Sequence, residues 1–465
     1  MNTFTNKKIF IAPKTPISMA FKEYLDQLIQ YDFLGYIDKT KIERHTTKID
    51  QINNDFDYII IISPNHYKSI YSDYISLIDK EKLYIVNIVN QAYQLTKTIQ
   101  NNTSNNIEYY SKDIDSNNNK REGIVFISKG FIDANNKYLF LSCLKQNIYA
   151  SIVTDNLDQI KQLEEHNLPC RILDTNKGDE IIAKAKYIVF DQANYTYFYI
   201  SPNQITIQLW HGVGLKKMSK LTNITYDYFI STSNWTNETN FKNVFCAKTY
   251  CDFGYPRNDI LLKKDEDKLD LLFCNKELYK LSKNNKTILY MPTIREYVFS
   301  QKTPPTQHYV LPLDLKKLNE ALNQMNFTMI IKLHPYVIEF FKDLALHEQF
   351  TNIKFHPTQG DIYPILKYTD ILITDYSSIA YDFLFLDKPI IFFDYDRDMY
   401  EKNMGGFLFD YDKYSPGIKV KNQDELIEAI KSNDNHQNDR IEVKNKFFSH
   451  KIFSSKQIIK QLING

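Results

Sequence analysis

Short, continuous runs of apolar residues recur along the chain, and the segments between them carry apolar residues three or four positions apart. Continuous runs are typical of parallel strands buried on both faces, and the spaced segments are typical of the helices that connect such strands. This alternation predicts an α/β protein with doubly wound, Rossmann-like sheets. The predicted strands are KKIFIA, DYIIIIS, LYIVNIV, GIVFIS, YASIVTD, KYIVFD, QITIQLWHG, KTILYMP, FTMIIKLHP, NIKFHP, DILITD and PIIFFD.

The chain is too long for a single hydrophobic core, because 465 residues exceed the size that one core usually organises. We predict two Rossmann-like domains, residues 123–260 and 261–440, that face each other across a cleft in the GT-B arrangement. A small N-terminal α/β domain of residues 1–100 precedes them. The segment 101–122 is rich in Asn, Ser and charge and is predicted to be a polar linker. Residues 441–465 are predicted to form a C-terminal helix.

Composition and charge narrow the classes of function. The 57 basic and 56 acidic residues leave almost no net field that would attract nucleic acid, so nucleic acid is not an expected partner. The five cysteines form no CxxC pair, and their odd number favours a reducing compartment. No run reaches the roughly 18 uncharged apolar residues that a spanning helix needs. We therefore expect a soluble chain that at most binds one membrane face.

Polar residues at four predicted strand ends are candidates for chemistry, because the loops after parallel strands form the ligand crevice of such folds. Arg, Lys and His can hold a pyrophosphate without a metal ion, and hydroxyls at a helix start can bind an anion. Taken singly, each segment could instead be a solvated surface charge, a structural histidine or a helix cap. The candidates are His211, Gly212, Lys216 and Lys217 in QLWHGVGLKK, Arg295 in MPTIRE, Lys332 and His334 in IIKLHP, and Asp375, Ser377 and Ser378 in DILITDYSS.

The same segments resemble the CDP-glycerol glycerophosphotransferases over roughly residues 120–440. WHGVGLKK resembles their WHGTPLKK, MPTIRE resembles APTWRD, and GYPRND at 254–259, KLHP and TDYSS are identical to theirs. NKYLFLSCLK resembles NPKYLFEYL, and DKPIIFFDYDRDMY resembles KPIIFYDYDLEEY. Because several motifs recur in order, the resemblance is specific, although it does not cover the first 115 residues.

The resemblance implies a transferase of teichoic-acid-like or capsule polymer synthesis, with the acceptor in the first Rossmann-like domain and a CDP-polyol in the second. His211 falls on the proposed catalytic histidine of the family. His334, Arg295, Ser377 and Ser378 fall on or beside its donor-phosphate contacts. Together with the strand ends, this predicts catalytic roles for His211 and His334, donor binding by Arg295, Lys332, Asp375, Ser377 and Ser378, and acceptor binding by Gly212, Lys216 and Lys217.

Two departures from the family pattern concern the substrate pockets. Val213 and Gly214 replace the Thr-Pro that usually follows the first His-Gly, and Gly405 stands where an Arg is common. We expect the first change to reshape the acceptor pocket and the second to remove one phosphate or acceptor contact. Both leave the identity of the polyol and of the acceptor open.

The reaction implied is attack by an acceptor hydroxyl on the β-phosphorus of a CDP-polyol, which expels CMP. His211 can accept the proton at neutral pH because an unperturbed histidine has a pKa of about 6.5. No tightly bound metal or cofactor is expected; Mg²⁺ would arrive with the donor phosphates. Two other functions stay open, a GT-B glycosyltransferase that uses a UDP- or CMP-sugar and a non-catalytic scaffold for capsule assembly.

The acceptor is expected to be lipid-linked or polymeric, which predicts a cytoplasmic protein with peripheral contact at the cytoplasmic face of the inner membrane. The segment 442–463 has apolar residues near helical spacing and many lysines. It could be an interfacial helix or a terminal helix packed against the Rossmann-like domains.

Overall fold

The structure, a computed structural model, divides the chain into two compact units, Met1–Asn105 and Asn106–Gly465. The residues that it describes are 2–38, 46–63, 67–75, 77–89, 92–96, 102–128, 134–192, 199–221, 224–295, 311–334, 337, 350–357, 359–450 and 452–463.

The first unit contains a six-stranded sheet in the order β3-β2-β1-β4-β5-β6. All neighbours are parallel except β5 and β6, which form an antiparallel pair. The predicted strands in KKIFIA, DYIIIIS and LYIVNIV are present. The elements are β1 (Lys8–Ala12), α1 (Pro16–Leu28), β2 (Asp32–Ile37), β3 (Thr46–Thr47), β4 (Tyr58–Ile61), α2 (Tyr67–Ile75), β5 (Leu83–Val89) and β6 (Ala92–Thr96), with 3₁₀ turns at Asn2–Phe4, Ile49–Gln51 and Lys80–Lys82.

A second, seven-stranded sheet is entirely parallel and has the order β13-β12-β11-β10-β7-β8-β9. Alternate residues of its inner strand Ile124–Ser128 point into different apolar clusters, since Ile124 and Phe126 lie in one and Val125 and Ile127 in the other. Both faces are therefore buried, as the continuous apolar runs predict. The strands are β7 (Ile124–Ser128), β8 (Ala150–Thr154), β9 (Cys170–Ile172), β10 (Tyr187–Phe190), β11 (Ile205–Gln208), β12 (Thr225–Ile230) and β13 (Cys246–Cys251).

The third sheet is also parallel and has six strands in the order β16-β15-β14-β17-β18-β19. Its strand order reverses between β14 and β17, because β14 to β16 extend in one direction and β17 to β19 in the other. Such a reversal opens the crevice where doubly wound sheets bind ligands. The strands are β14 (Thr287–Tyr290), β15 (Thr328–Ile331), β16 (Ile353–Phe355), β17 (Ile371–Thr374), β18 (Ile390–Phe393) and β19 (Ile418–Val420).

Helices connect these strands, as the spaced apolar segments predict. None of the helices in the described ranges is long and apolar enough to cross a membrane. The helices are α3 (Asn102–Ser116), α4 (Ala134–Lys145), α5 (Leu157–Glu165), α6 (Asn176–Lys184), α7 (Asn234–Thr236), α8 (Lys242–Val244), α9 (Asp259–Leu262), α10 (Lys276–Asn284), α11 (Leu315–Met325), α12 (Tyr363–Tyr368), α13 (Ile379–Phe383), α14 (Arg397–Met404), α15 (Tyr411–Tyr414), α16 (Gln423–Lys431), α17 (Gln437–Phe447) and α18 (Ser454–Ile458). Further turns are 3₁₀ at Pro256–Asn258 and Leu384–Leu386 and π-helical at Asn237–Phe241 and Ile459–Ile463.

The predicted linker at 101–122 is wrong, because most of this segment forms α3. Ile107 and Ile114 are buried seven positions apart on one side of the helix. Arg121, which follows the helix, is also buried and donates hydrogen bonds to the Ser111 carbonyl (3.1 Å) and the Asp115 carboxylate (2.8 Å). The segment can be polar because Ile107 and Ile114 form only a narrow apolar stripe along this helix.

The single C-terminal helix predicted at 441–465 is also wrong. α17 ends at Phe447, and the chain becomes helical again at Ser454 in α18 and the π-helical turn Ile459–Ile463. Ile458 and Ile459 are fully buried in a core cluster of the second sheet. Of the two possibilities for this segment, the structure shows the packed helix.

Candidate active site

A cavity of about 440 Å³ lies where the segments after β11, β14, β15 and β17 meet. β14 and β17 are the two strands between which the order of the third sheet reverses, so the cavity occupies the crevice expected of this fold. Seven of the predicted site residues line it, namely His211, Gly212, Lys216, Lys332, His334, Ser377 and Ser378.

His211 is held in one orientation by a backbone hydrogen bond. Its Nδ1 lies 2.9 Å from the Asp191 carbonyl oxygen. A carbonyl can only accept, so Nδ1 carries the proton and the lone pair of the neutral ring is on Nε2. The ring also packs against Trp210, with centroids 3.8 Å apart. In this tautomer, Nε2 is the ring nitrogen of His211 that can accept a proton.

The backbone before His211 is strained and held by buried polar groups. Trp210 has a φ of +53°, which is unfavourable for a bulky residue. Its N–H donates to Gln208 Oε1 (2.8 Å), and its carbonyl accepts from Asn135 Nδ2 (2.7 Å). These two bonds fix the turn that directs His211 into the cavity.

Arg257, in the GYPRND turn, joins the histidine loop to the third sheet. Its Nη1 donates to the His211 carbonyl (2.6 Å) and its Nη2 to the Asp382 carboxylate (2.7 Å). Asp382 also accepts from Asn258 Nδ2 (3.0 Å) and the Tyr363 hydroxyl (2.7 Å). We did not predict Arg257 or Asp382 as site residues, although GYPRND was among the motifs of the resemblance.

Asp259, in the same turn, carries a buried carboxyl whose pKa lies close to neutral pH. Ser454 N and Ser455 N donate to its two oxygens at 2.7 and 3.0 Å. Burial outweighs these hydrogen bonds and raises the pKa of Asp259 to about 7.

The raised pKa of Asp259 predicts a pH-dependent stability. The unfolded chain releases this proton near pH 3.8 and the folded chain near pH 7, so the free energy of unfolding falls as pH rises through this window. Relative to Asp259→Asn, the wild type should lose about 2–3 kcal/mol between pH 5 and pH 8. Denaturant unfolding of both proteins at the two pH values measures this. If the difference in unfolding free energy between wild type and Asp259→Asn were the same at both pH values, the pKa of Asp259 would not be raised by burial.

The second and third sheets come into close contact at Gly212. A Cβ on Gly212 would lie 2.7 Å from Ser378 Oγ and 3.1 Å from Ser378 Cβ, closer than ordinary packing allows. A Cβ on Gly214 would lie 3.5 Å from Ser378 Cβ, an ordinary contact. Glycine is therefore required at 212 for space, and Gly214, one of the departures from the family pattern, has room for a side chain.

The two glycines make a matched pair of variants. Gly212→Ala should push the His211 loop away from Ser378 and lower transfer by on the order of tenfold or more, because small displacements at a reacting centre are costly. Gly214→Ala should stay close to wild type. Steady-state rates of both purified variants test this, and equal rates would show that the contact at Gly212 does not set the geometry.

Arg295 and Asp375 lie behind the cavity wall and do not line it. Arg295 is 4% exposed and donates to both oxygens of Asp396 at 2.8 Å, to Asp375 Oδ2 at 2.5 Å and to the Thr293 carbonyl at 2.7 Å. Asp375 in turn accepts from Thr293 N (2.9 Å). The structure therefore places both residues where they fix the loop after β14, and it does not bring them to the donor-contact position that we predicted.

The serines of TDYSS do line the cavity. The helix that begins there, α13, has only five residues, so its dipole contributes little to anion binding. Ser378 makes no side-chain capping hydrogen bond, and Ser377 Oγ lies 3.5 Å from Ile379 N. On this wall of the cavity, the groups that can donate hydrogen bonds to a phosphate are therefore the two serine hydroxyls more than the start of the helix.

The loop that carries the predicted acceptor residues pairs with the segment after α14. Lys216 forms an antiparallel bridge with Phe407, and Leu408 N donates to the Leu215 carbonyl at 2.7 Å. Lys217 is exposed and does not line the cavity. Gly405 ends α14 with a φ of +80°, so glycine there serves the backbone turn.

Lys332 and His334 follow β15 and close the remaining side of the cavity. His334 is exposed. Burial, and then the charge of Lys332, lower the pKa of the neighbouring His356 to about 3, so His356 stays neutral. Within the described ranges, no three His, Cys, Asp or Glu side chains come close enough to hold a metal ion.

Comparison with known proteins identifies the family. The sequence profile described as CDP-Glycerol:Poly(glycerophosphate) glycerophosphotransferase matches residues 108–464. The teichoic acid poly(glycerol phosphate) polymerase of Bacillus spizizenii is 32% identical over 280 residues, 56% of this chain and 68% of that protein. The ribitol-phosphate polymerase TarL of Staphylococcus aureus is 25% identical over 439 residues, 86% of this chain and 70% of that protein. Because the match to TarL covers 86% of this chain, it includes part of the N-terminal unit, which the motifs of the resemblance did not cover.

A solved structure shows the same fold. A variant of the wall teichoic acid polymerase TagF superposes with a TM-score of 0.62 at 23% identity, over 78% of this chain and 93% of that chain. This likeness and the three parallel-type sheets confirm the predicted α/β fold with Rossmann-like domains and a small N-terminal α/β unit. Because the profile matches well over half of its residues, this chain belongs to the CDP-glycerol:poly(glycerophosphate) glycerophosphotransferase family.

Proposed function

We propose that this glycerophosphotransferase moves glycerol phosphate or ribitol phosphate from a CDP-polyol to a hydroxyl of a lipid-linked or polymeric acceptor of teichoic-acid-like polymer synthesis. One observation carries the proposal: an oriented histidine of the second sheet shares a cavity with Lys332, His334, Ser377 and Ser378 of the third. Relatives named glycerol-phosphate and ribitol-phosphate polymerases, and a TagF structure soaked with CDPG, support this donor class.

The residues suggest a division of labour in the transfer step. His211 Nε2 takes the proton of the acceptor hydroxyl as its oxygen attacks the β-phosphorus of the donor. The bond from this phosphorus to the bridging oxygen breaks, CMP leaves, and a phosphodiester remains. Lys332, His334 and the two serine hydroxyls stabilise the charge on the pyrophosphate. In this proposal the second sheet holds the acceptor and the third holds the donor.

The proposal also includes a metal ion that accompanies the donor and a location at the membrane. Mg²⁺ would enter with the donor phosphates as their counterion, and transfer rates with and without EDTA test its need. A lipid-linked acceptor would bring this protein to the cytoplasmic face of the inner membrane, as the sequence led us to expect.

Calorimetric titration with CDP-glycerol, CDP-ribitol, CDP, CMP and UDP tests the donor site. We expect a CDP-polyol to bind more tightly than UDP and expect the Ser377→Ala/Ser378→Ala double variant to lose affinity. The preferred polyol would then be identified by its affinity. A preference for UDP would favour a sugar transferase, and no nucleotide binding would favour a scaffold. Normal donor binding by the double variant would remove the serines from the donor site.

A further inference from the structure

A second cavity in the same unit, of about 690 Å³, lies between α4, α9 and the C-terminal helical segment. Four lysines line it, Lys145, Lys263, Lys456 and Lys460. Its volume lies within the range of ordinary ligand sites. The proposed transfer step uses none of these residues.

Two of the lysines are already paired with carboxylates. Lys263 lies 2.6 Å from both oxygens of the buried Asp270, and Lys145 forms an ion pair with Asp267. Asp259 also lines the cavity, but the backbone amides of α18 occupy its two oxygens. Asp270 and Asp267 therefore balance the charges of Lys263 and Lys145, and the other two lysines of the cavity keep their positive charge.

Lys456 and Lys460 are these two lysines. They are exposed and four residues apart, so they project from one face of the C-terminal helical segment. Lys456 lies over the Phe453 ring at 5.1 Å. Among the residues that the structure describes, no ion pair involves Lys456 or Lys460. Two adjacent, unbalanced cations in a concave site favour an anionic ligand with several oxygens.

One turn of the chain has residues in contact with both sites. Arg257 of Gly254–Asp259 holds the His211 carbonyl, and Asp259 of the same turn lines the second cavity. A ligand that reaches both cavities must be extended and must carry more than one anionic group. A polyol-phosphate polymer has both properties, since each unit adds one phosphodiester.

We infer that the cavity lined by Lys456 and Lys460 binds phosphodiester groups of the growing acceptor polymer, behind the end that reacts. This inference rests on the proposed function. A polymer held at two places dissociates more slowly between transfers, because the bound part keeps the reactive end at a high local concentration. The cavity then favours repeated transfer to the same chain.

Anionic phospholipid offers the same phosphate chemistry, but the packing disfavours a membrane as the occupant. Ile458 and Ile459, the apolar side of this helical segment, are fully buried against the second sheet. A helix that enters a membrane interface needs its apolar side exposed. Lys456 and Lys460 line the cavity, and the helical segment that carries them is packed against the second sheet through its apolar side.

The test compares Lys456→Gln/Lys460→Gln with Lys276→Gln/Lys280→Gln. The control removes two exposed lysines at the same spacing from α10. The probes are soluble poly(glycerol phosphate), an acceptor with a single glycerol phosphate, and vesicles containing anionic phospholipid. We expect the cavity variant to bind the polymer at least about tenfold more weakly and to make shorter products. Its donor affinity, its rate with the single-unit acceptor and its vesicle binding should match the control.

Polymer binding is measured without donor, so the result does not depend on turnover. Equal polymer affinity in both variants would overturn the inference. Loss of vesicle binding with unchanged polymer affinity would overturn it in favour of a lipid headgroup. If the wild type binds the polymer through these lysines yet fails to turn over any CDP-polyol, the proposed function fails and the binding site stands.

Discussion

His211→Ala should lower transfer by on the order of 100-fold or more while donor binding and thermal stability stay near wild type. The expected loss is that of a general base, because the variant has no Nε2 to take the hydroxyl proton. The fold should survive because the backbone at Trp210 is held by Gln208 and Asn135 and not by the imidazole.

A histidine remote from the cavity provides the control for this variant. His166 bonds through Nδ1 to the Gln162 carbonyl of its own helix at 2.9 Å, and its replacement by alanine should leave transfer unchanged. Single-turnover rates at saturating donor separate chemistry from binding. Near-normal turnover by His211→Ala would remove this residue from the mechanism.

Arg295→Met should destabilise the fold by about 3–5 kcal/mol, because it leaves the buried Asp375 and Asp396 carboxylates without their cation. Arg397 provides a matched control at the protein surface. It is 25% exposed and pairs with Asp412 at 3.0 Å, so Arg397→Met should cost less than about 1 kcal/mol. Denaturant unfolding of the two variants measures the difference.

The same pair of variants separates two roles for Arg295. If Arg295→Met weakened CDP-polyol binding and kept wild-type stability, the residue would contact donor phosphate directly, as we predicted from its place after a strand. If Arg295→Lys lost stability as well, the result would support a structural role in which Arg295 holds Asp375 and Asp396 together. Lysine cannot make the bidentate contact to Asp396.

Much of the fold was predictable because parallel strands that are buried on both faces have continuous apolar sequences. Each of the twelve predicted runs contains a strand of the structure. β12 was missed because its sequence, TYDYFI, includes a charge. Asp227 is tolerated there because Thr206 of the neighbouring strand donates to its carboxylate through both N and Oγ1, at 2.8 and 2.9 Å. Such a partner cannot be recognised from local sequence.

The candidate site was predictable for a topological reason. Polar residues at the carboxyl ends of parallel strands lie at one edge of their sheet, and these edges of the second and third sheets meet, so seven of ten candidates line one cavity. What could not be predicted is the direction in which a side chain points. The carboxylate partners of Arg295 are 80 and 101 residues away in the sequence. Asp382 and its partner Arg257 are separated by 125 residues. No periodic pattern marks contacts at such separations.

The most direct test of the account is release of CMP by the purified wild type. CDP-glycerol and CDP-ribitol are each supplied with and without poly(glycerol phosphate) acceptor, and CMP and the extended polymer are quantified together. We predict CMP release that requires the acceptor and matches the number of units added. Turnover of a UDP- or CMP-sugar without reaction of either CDP-polyol, or no turnover of any donor, would contradict the account.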